Sequence, residues 1–432
     1  MTSLPPCLAP LQARTALTTK TVPLLFHSAA SSRDPLPRLV RHLMMARGAR
    51  SFGQGALVAA FTLYLHALHW SASAIGATLT AALLLGALVT LAVGPSSDRH
   101  GRRRFLLVYE AIQAGSAVLA LASNSPPALV TAALLGGFGR GANGGAGPFA
   151  PLEQAWLAHA VPASKRGLVF SLNAAVGFLG MAIGALAAGA VHFLEAPLGP
   201  ILAYRPLFLL PLAGSLFAFT LIARLPEPRF ARGPRPADEH AARRDENRTL
   251  ARLVLINILN GLGIGMVAPL IAYWFALRFH HGPGTIGPAL AGSFLLGGLG
   301  SLLVGRLSSR AGLIRPVVMM RILGLALLVA VPLVPEFGLS AGLYALRRGA
   351  TGGTAGVRQA LVMALTRDRR GLAASVHNVS IQIPRAIGPL LSGILLQAGM
   401  LETPFFVAAA LQAAYLLLYV RLFRDFAMAA GD

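Results

Sequence analysis

The stretch Gly94-Pro-Ser-Ser-Asp98-Arg99-His100-Gly101-Arg102-Arg103-Arg104 is a short, strongly basic loop between two apolar segments. A weaker copy, Gly305-Arg-Leu-Ser-Ser-Arg310-Ala-Gly312-Leu-Ile-Arg315, occurs 211 residues later, about half the chain length away. One basic turn that is used twice at this distance predicts two halves of similar length.

The composition indicates that both halves lie in a membrane. Of 432 residues, 55% are hydrophobic and only 12% are charged, whereas soluble domains carry about 25% charged residues. The net charge of +22 is confined to short loops, as the positive-inside rule requires, so we expect no nucleic-acid partner. Cys7 is the only cysteine, which excludes an intrachain disulfide and a thiolate metal site. We expect no metal and no cofactor.

Twelve apolar runs are long enough to cross a bilayer, which takes about 20 helical residues. We expect helices near 48–69, 74–94, 103–123, 127–148, 167–192, 201–224, 251–277, 285–306, 315–334, 338–364, 371–398 and 402–423. A polar, Pro-rich stretch separates the sixth run from the seventh. The sequence therefore predicts an all-α membrane protein with two six-helix bundles, 48–224 and 251–424, a cytoplasmic linker 225–250, and a C-terminal tail 425–432.

The first 47 residues mix Pro, Ser, Thr and Arg and have no continuous apolar run. This composition is typical of a disordered tail. It also fits a start codon placed too early, with Met44 or Met45 as the true beginning, or a transit peptide.

The loops differ in charge between the two sides of the membrane. The loops on one side hold nearly all the basic residues, in particular Arg99, Arg102, Arg103, Arg104, Lys165, Arg166, the loop 224–252, Arg310, Arg315, Arg367, Arg369 and Arg370. The loops at 69–71, 123–127, 335–338 and 401–403 contain no Arg or Lys, with Arg205 and Arg278 as exceptions on that side. The positive-inside rule then puts both termini in the cytoplasm. A bacterial inner membrane is the expected location.

An internal repeat supports two copies of one bundle. Arg140-Gly-Ala-Asn143-Gly-Gly-Ala-Gly147 is matched 208 residues later by Arg348-Gly-Ala-Thr-Gly-Gly-Thr-Ala355. Lys165-Arg-Gly is matched 204 residues later by Arg369-Arg-Gly. A nearly constant offset predicts a parallel repeat about an axis normal to the membrane.

These motifs resemble the major facilitator superfamily over most of residues 48–424. The loop at 94–104 has the form G-x-x-x-D-R-x-G-R-R, and Arg140-x-x-Asn143-Gly resembles the R-x-x-Q-G pattern of helix four. Gly388-Pro-x-x-x-Gly393 resembles the G-P-x-x-x-G of helix eleven. The resemblance implies the superfamily fold and a secondary transporter that works by alternating access. Helix five reads Gly180-Met-Ala-Ile-Gly184-Ala without the proline of the drug-antiporter subset, which counts against drug efflux.

Charges inside membrane spans are expensive and mark functional sites. Arginines exceed acids in the predicted spans, which favours a polar or anionic small-molecule substrate. We expect the substrate cavity to be lined by Arg140, Asn143, Asn260, Arg348 and Arg385.

The resemblance also implies that the basic loop holds the cytoplasmic side closed. Asp98 would dock at the start of helix eleven, where unpaired N–H groups carry partial positive charge, and Arg102 would link it to Glu153. We expect this cytoplasmic gate to consist of Gly94, Asp98, Arg99, Gly101, Arg102 and Glu153.

Three functions stay open at this stage. The leading one is a monomeric transporter driven by a proton or ion gradient, because no Walker motif for ATP is present. The second is a proton-coupled drug efflux antiporter. The third is a membrane receptor or scaffold without transport. An enzyme is not expected, since neither H-E-x-x-H nor G-x-S-x-G occurs.

Overall fold

The computed structural model describes residues 36–140, 150–226, 240–311, 315–352, 354 and 370–429. Every regular element in these ranges is a helix. The all-α class that the sequence predicts is therefore confirmed.

The first half contains eight described α-helices and a 3₁₀ helix at Leu202–Phe208. The α-helices are α1 (Arg38–Ala67), α2 (Ala72–His100), α3 (Arg102–Ala122), α4 (Pro126–Gly136), α5 (Ala150–Ala160), α6 (Ala163–Gly189), α7 (Val191–Leu198) and α8 (Leu209–Ala223).

The second half contains seven described α-helices and a 3₁₀ turn at Ala268–Leu270. The α-helices are α9 (His240–Val267), α10 (Ile271–Phe279), α11 (Pro283–Ala311), α12 (Arg315–Leu333), α13 (Phe337–Gly352), α14 (Arg370–Gln397) and α15 (Thr403–Ala429).

Eight helical stretches in the described ranges are long and apolar enough to cross a membrane. They are Ala72–Val93, Arg102–Ala122, Leu168–Leu198, Leu202–Ala223, Ala251–Phe279, Pro283–Val304, Val376–Gln397 and Thr403–Arg421. Shorter apolar helices lie at Pro126–Gly136 and Val317–Leu333. The predicted total of twelve spans stays a prediction.

Helix α1 begins at Arg38, ten residues before the start predicted at Gly48. Val40 and Leu43 are fully buried, whereas Arg41 between them is exposed. The spacing of three residues puts the two apolar side chains on one helical face, which packs into the core of the first half. The additional turns therefore belong to the packed bundle.

Helix α4 ends at Gly136, although the sequence predicts a helix that continues to residue 148. Gly137 adopts a left-handed backbone conformation with φ of +64°, and Gly139 follows with φ of +69°. Glycine adopts positive φ without the steric cost of a Cβ atom, so this pair of glycines ends the helix. Arg140 consequently lies in non-helical backbone.

The buried apolar residues form one core at one end of the bundle and two cores at the other. We call the end with the loops at 69–71, 123–127, 335–338 and 401–403 the arginine-poor end, and the opposite end the arginine-rich end. The largest cluster includes Phe61 and Tyr204 of the first half together with Trp274 and Ile286 of the second. In the described ranges, two smaller clusters near the arginine-rich end each draw on one half only.

The halves pack most tightly against each other near the arginine-poor end, along a surface that we call the seam. A Cβ atom added at Gly76 of α2 would lie 2.3 Å from the carbonyl oxygen of Pro389 in α14. The backbone N–H of Leu390 donates a hydrogen bond of 3.0 Å to the Thr80 hydroxyl. Helices α6 and α11 form a second contact, where Gly287 lies against the carbonyl of Ala185. Close approach of backbones is the reason for the small residues here.

Candidate functional site

The break after α4 places the side chain of Arg140 inside the first half. Its Nη2 donates a long hydrogen bond of 3.4 Å to the carbonyl oxygen of Leu134, in the last turn of α4. Its guanidinium also lies over Gly137, where a Cβ atom would approach its Cζ to 2.1 Å. Gly137 therefore ends the helix and leaves the space that this side chain fills. A cation at a helix C-terminus is stabilised by the helix dipole.

Arg385 of α14 reaches from the second half to this break. Its Nη2 donates a hydrogen bond of 2.9 Å to the backbone carbonyl oxygen of Arg140. Helix α14 is held close to α9 here, since a Cβ atom at Gly265 would lie 2.1 Å from the carbonyl of Arg385. Arg385 is 5% exposed, so a charged side chain is buried where the two halves meet.

Arg347 and Arg348 of α13 complete the group of cations. Both are buried, and both lie near the Tyr344 hydroxyl. Arg348 and Arg385 are close enough for their like charges to repel each other. We refer to Arg140, Arg348 and Arg385 as the seam arginines. All three were predicted from the sequence to line the cavity.

No carboxylate belongs to the helices that carry the second-half arginines. The only acids between residues 251 and 424 of the sequence are Glu336, Asp368 and Glu402. Glu336 and Glu402 each precede a helix, and Asp368 lies outside the described residues. Glu336 and Glu402 are exposed, and Glu402 lies 3.9 Å from Arg278 at the arginine-poor end. Among the described residues of the second half, the buried charged side chains are therefore all arginines.

A different polar cluster occupies the first half and is balanced in charge. Arg50 of α1 pairs with Glu110 of α3 at 3.2 Å and with Glu153 of α5 at hydrogen-bond distance. Asn173 of α6 donates a hydrogen bond of 3.5 Å to Glu153. Arg47 is also buried, and it is attracted by Glu153. Two guanidiniums of α1 thus face two carboxylates of α3 and α5, and Asn173 of α6 adds an amide.

Arg47 and Arg50 were not predicted as site residues. Arg47 falls in the predicted tail, and Arg50 falls in the first turn of the helix predicted over 48–69. The signal that could have found them is their spacing of three residues, which puts both on one helical face. Glu153 was predicted to belong to the gate. In the structure its carboxylate contacts Arg50 and Asn173.

Asn260 lies in the interior of the second half and accepts a hydrogen bond of 3.0 Å from Arg321 of α12. The Arg321 guanidinium lies 5.2 Å from the ring centre of Tyr415 in α15. Asn260 therefore joins α9 to α12. Asn143, the other predicted cavity amide, lies outside the described residues.

A third polar group joins α9 to α14. The side-chain amide of Asn257 contacts His377 Nδ1 at 3.0 Å and donates a hydrogen bond of 2.8 Å to the Ser380 hydroxyl. All three side chains are buried. This group connects the two helices two turns from Arg385.

The predicted gate lies at the turn between α2 and α3. Gly101 has a φ of +92° and separates the two helices, which agrees with a turn that favours glycine. Arg102 is buried at the first position of α3. The backbone of Gly94, Asp98 and Arg99 lies in α2, and their side chains are outside the described residues.

Comparison with known proteins identifies the family. The profile described as Major Facilitator Superfamily matches residues 43–252 and 253–427, which cover both halves of the chain. The chain belongs to this superfamily. It is a transporter by family and not an enzyme, as the sequence predicts.

Solved structures of transporters share the fold. A point mutant of the nucleoside transporter NupG matches with a TM-score of 0.66 at 14% identity, over 89% of this chain and 100% of that one. A bacterial homologue of the human lysosomal transporter Spinster, inward-facing and occupied, matches with a TM-score of 0.67 at 14% identity, over 89% and 96%. A D-xylose–proton symporter matches with a TM-score of 0.65 at 16% identity, over 88% and 96%. No curated protein matches the sequence.

Proposed function

We propose that this chain is a secondary active transporter that moves a small anionic solute by alternating access. The observation that carries the proposal is the position of the seam arginines. Arg348 and Arg385 are buried and Arg140 is partly buried where the halves meet, and the predicted spans of the second half contain no carboxylate. Arginine binds carboxylate and phosphate through two parallel hydrogen bonds, so this group suits an anion. Substrate sites of repeat transporters lie between the repeats and often involve broken helices, as at Gly136.

The driving force that we propose is a gradient of protons or of another ion. The chain has no phosphate-binding loop for ATP, so the energy must come from a gradient. The similar solved structures carry names with different substrates, among them a nucleoside and a sugar, and their identity to this chain is 17% or less. They support the fold, and the choice of an anion rests on the arginines alone.

The orientation that we propose puts the arginine-rich end in the cytoplasm of a bacterial cell, because Lys and Arg accumulate on that side. With this orientation, the continuous core near the arginine-poor end corresponds to an inward-open state. The turn at Gly101, with Asp98 and Arg102, is then the cytoplasmic gate that closes in the opposite state.

The test is a flux assay in proteoliposomes with purified full-length protein. We expect uptake of an anionic solute that depends on an imposed gradient. Arg385→Gln should abolish this uptake, whereas Arg278→Gln, which removes a partly exposed arginine at the arginine-poor end, should preserve it. Binding of the anion without any flux would support the receptor alternative instead. Gradient-driven export of lipophilic cations without uptake of anions would support the drug antiporter.

A further inference from the structure

A groove runs between α2 and α4 near the arginine-poor end. Its α2 wall is formed by Ala74, Ala77 and Ala81, whose spacings of three and four residues put them on one helical face. Pro126 and Val130 of α4 form the opposite wall. Side chains no larger than a methyl group on the α2 wall leave the space between the two helices open.

The groove opens toward the membrane and not toward the space between the halves. Gly76 and Thr80, which α2 presents to α14, each precede a wall alanine by one position, about 100° around the helix. At this end, the apolar core fills the space between the halves. Ala77 is nevertheless exposed, and it lies inside the apolar span Ala72–Val93. An exposed residue at this place faces the surrounding bilayer.

The length of the groove matches one leaflet. Ala81 lies nine residues after Ala72, where the apolar span begins, which is about 14 Å along the helix axis. Half of the hydrocarbon core of a bilayer measures about 15 Å. The groove therefore reaches from the surface of the hydrocarbon to about its middle.

The mouth of the groove is polar and lies at the level of the lipid head groups. Trp70 lines it, and tryptophan is enriched at membrane interfaces. The Ser71 and Ser73 hydroxyls lie 3.1 Å apart before and at the start of α2. The hydroxyls of Ser123 and Ser125 lie 3.0 Å apart before α4. A molecule that fits this place is polar at one end and apolar along its length.

Water does not suit the groove below its mouth. The volume is about 620 Å³, roughly twenty times the share of one water molecule, and each water needs two to four polar partners. Among the described lining side chains, only Trp70 and Thr78 carry a polar atom. The Thr78 hydroxyl already donates a hydrogen bond of 2.9 Å to the carbonyl oxygen of Ala74. Empty space would forfeit dispersion contacts along both walls, so hydrocarbon is the filling that the groove favours.

We propose that this groove binds one acyl chain of a phospholipid from the leaflet at the arginine-poor end, with the head group at the polar mouth. Both walls belong to the first half, so the site moves with that half as a unit. We therefore expect the lipid to stay bound in every conformational state, unlike a lipid caught between the halves. The proposal is independent of the substrate.

The test uses phosphatidylethanolamine with a diazirine in the middle of one acyl chain, in nanodiscs that hold the full-length protein. After illumination, peptide mass spectrometry locates the cross-linked residues. The mass of the intact protein, ejected from the nanodiscs, reports whether a lipid remains attached without illumination. We expect the label to concentrate at residues 74–81 and 126–130, and one lipid to remain attached.

Two substitutions fill the groove. With Ala77→Leu or Ala81→Leu, we expect lipid binding at the groove to weaken about tenfold, which corresponds to roughly 1.4 kcal/mol. Ala111→Leu is the matched control, because it adds the same side chain at an exposed position of α3, and it should leave binding unchanged. Gly76→Ala, which alters the contact with α14, should also leave the lipid bound.

A label spread evenly over the exposed apolar faces, or unchanged labelling in both groove variants, would overturn the proposal. Loss of the lipid with Gly76→Ala would show that it is held between the halves instead. A dimer mass with cross-links between two copies at these residues would mean that a second copy fills the groove. Because the labelling map is measured on the unmodified chain, it tests the proposal even if a groove variant does not fold.

Discussion

The guanidinium of Arg385 donates its 2.9 Å hydrogen bond to the backbone carbonyl of Arg140 and not to a carboxylate. The acceptor is available because α4 ends at Gly136, which leaves the carbonyl of Arg140 outside any helix. A bond of this kind joins the two halves and still leaves the charge of Arg385 uncompensated. An anion that enters can therefore compete for this guanidinium.

The first prediction concerns the shape of the arginine side chain. We expect Arg140→Lys and Arg348→Lys to raise the apparent KM for the transported anion by tenfold or more, on the order of 1.5–3 kcal/mol for a hydrogen bond to a charged group. Lysine keeps the charge but cannot form two parallel hydrogen bonds. The measurement is concentration-dependent uptake in proteoliposomes. Unchanged affinity in both variants would leave these arginines with a packing role only.

The second prediction concerns the balanced cluster of the first half. Arg50→Met removes the guanidinium that pairs with the buried carboxylates of Glu110 and Glu153. We expect a loss of about 3–5 kcal/mol of stability, measured as a lower unfolding temperature. Adding Glu110→Gln and Glu153→Gln should restore much of this loss, because the uncompensated charges disappear. Arg104→Gln, at an exposed residue of α3, is the control and should change stability by less than about 0.5 kcal/mol. A triple variant no more stable than Arg50→Met contradicts this account.

The third prediction concerns the seam between α2 and α14. Gly76→Ala places a methyl group 2.3 Å from the carbonyl oxygen of Pro389, so the halves must separate there. We expect the equilibrium to shift toward the state that is open at the arginine-poor end. Gly292→Ala is the matched control, since a Cβ atom there meets nothing within 4 Å.

This shift can be measured as a distance between spin labels. Ser125→Cys and Gly338→Cys place one label on each half at exposed positions of the arginine-poor end, in a Cys7→Ser background. A second population at longer distance should appear with Gly76→Ala and be absent with Gly292→Ala. The same distances in both variants would mean that the seam does not control the state.

The fourth prediction concerns the first helix. Removal of residues 1–35 should leave expression and unfolding temperature unchanged, whereas removal of residues 1–43 should lower both. The longer deletion removes Val40 and Leu43, which are fully buried in the core of the first half. Each buried side chain of this size contributes about 1.5–3 kcal/mol. Equal stability of the two truncated proteins would show that the turns before Met44 are dispensable.

The fifth prediction concerns the gate. Asp98→Asn should leave insertion and folding intact, slow turnover, and favour the inward-open state. The reason is that a carboxylate at a helix N-terminus gains about 0.3–1 kcal/mol when exposed and up to about 2 when partly buried, and the gate contact exists in one state only. The Ser125 and Gly338 labels should then report less of the longer distance, in the opposite sense to Gly76→Ala. Unchanged distances and unchanged flux would remove Asp98 from the gate.

The sequence predicts the architecture well because hydropathy, the basic loops and the internal repeat all report on the membrane as solvent. Arg140 and Arg348 could be predicted together because one repeat contains both. The break after α4 could not be predicted, because a glycine-rich run is equally suited to close packing between helices and to backbone with positive φ. Only the backbone shows that Gly137 and Gly139 use positive φ.

The direction of a buried side chain was equally difficult to predict. Asn260 and Arg385 both lie deep in predicted spans, yet Asn260 contacts Arg321 within the second half and Arg385 reaches the first half. A helix in a bundle has neighbours on several faces, so depth alone does not select the partner. The pairing of Arg50 with Glu110 and Glu153 likewise depends on how α1, α3 and α5 pack.

The continuous apolar core near the arginine-poor end also determines how temperature acts on the carrier. It includes aromatic residues of both halves, and at its edge the exposed His66 ring contacts Tyr273 of the core with 5.2 Å between ring centres. Opening the arginine-poor end exposes this apolar surface to water. Closing the arginine-rich end brings together basic loops, which bury less apolar surface. Exposure of apolar surface raises the heat capacity, and the attraction between apolar groups weakens on cooling. For the proposed transporter, we therefore expect cold to favour the state that is open at the arginine-poor end, and the conformational equilibrium to follow a curved van't Hoff plot.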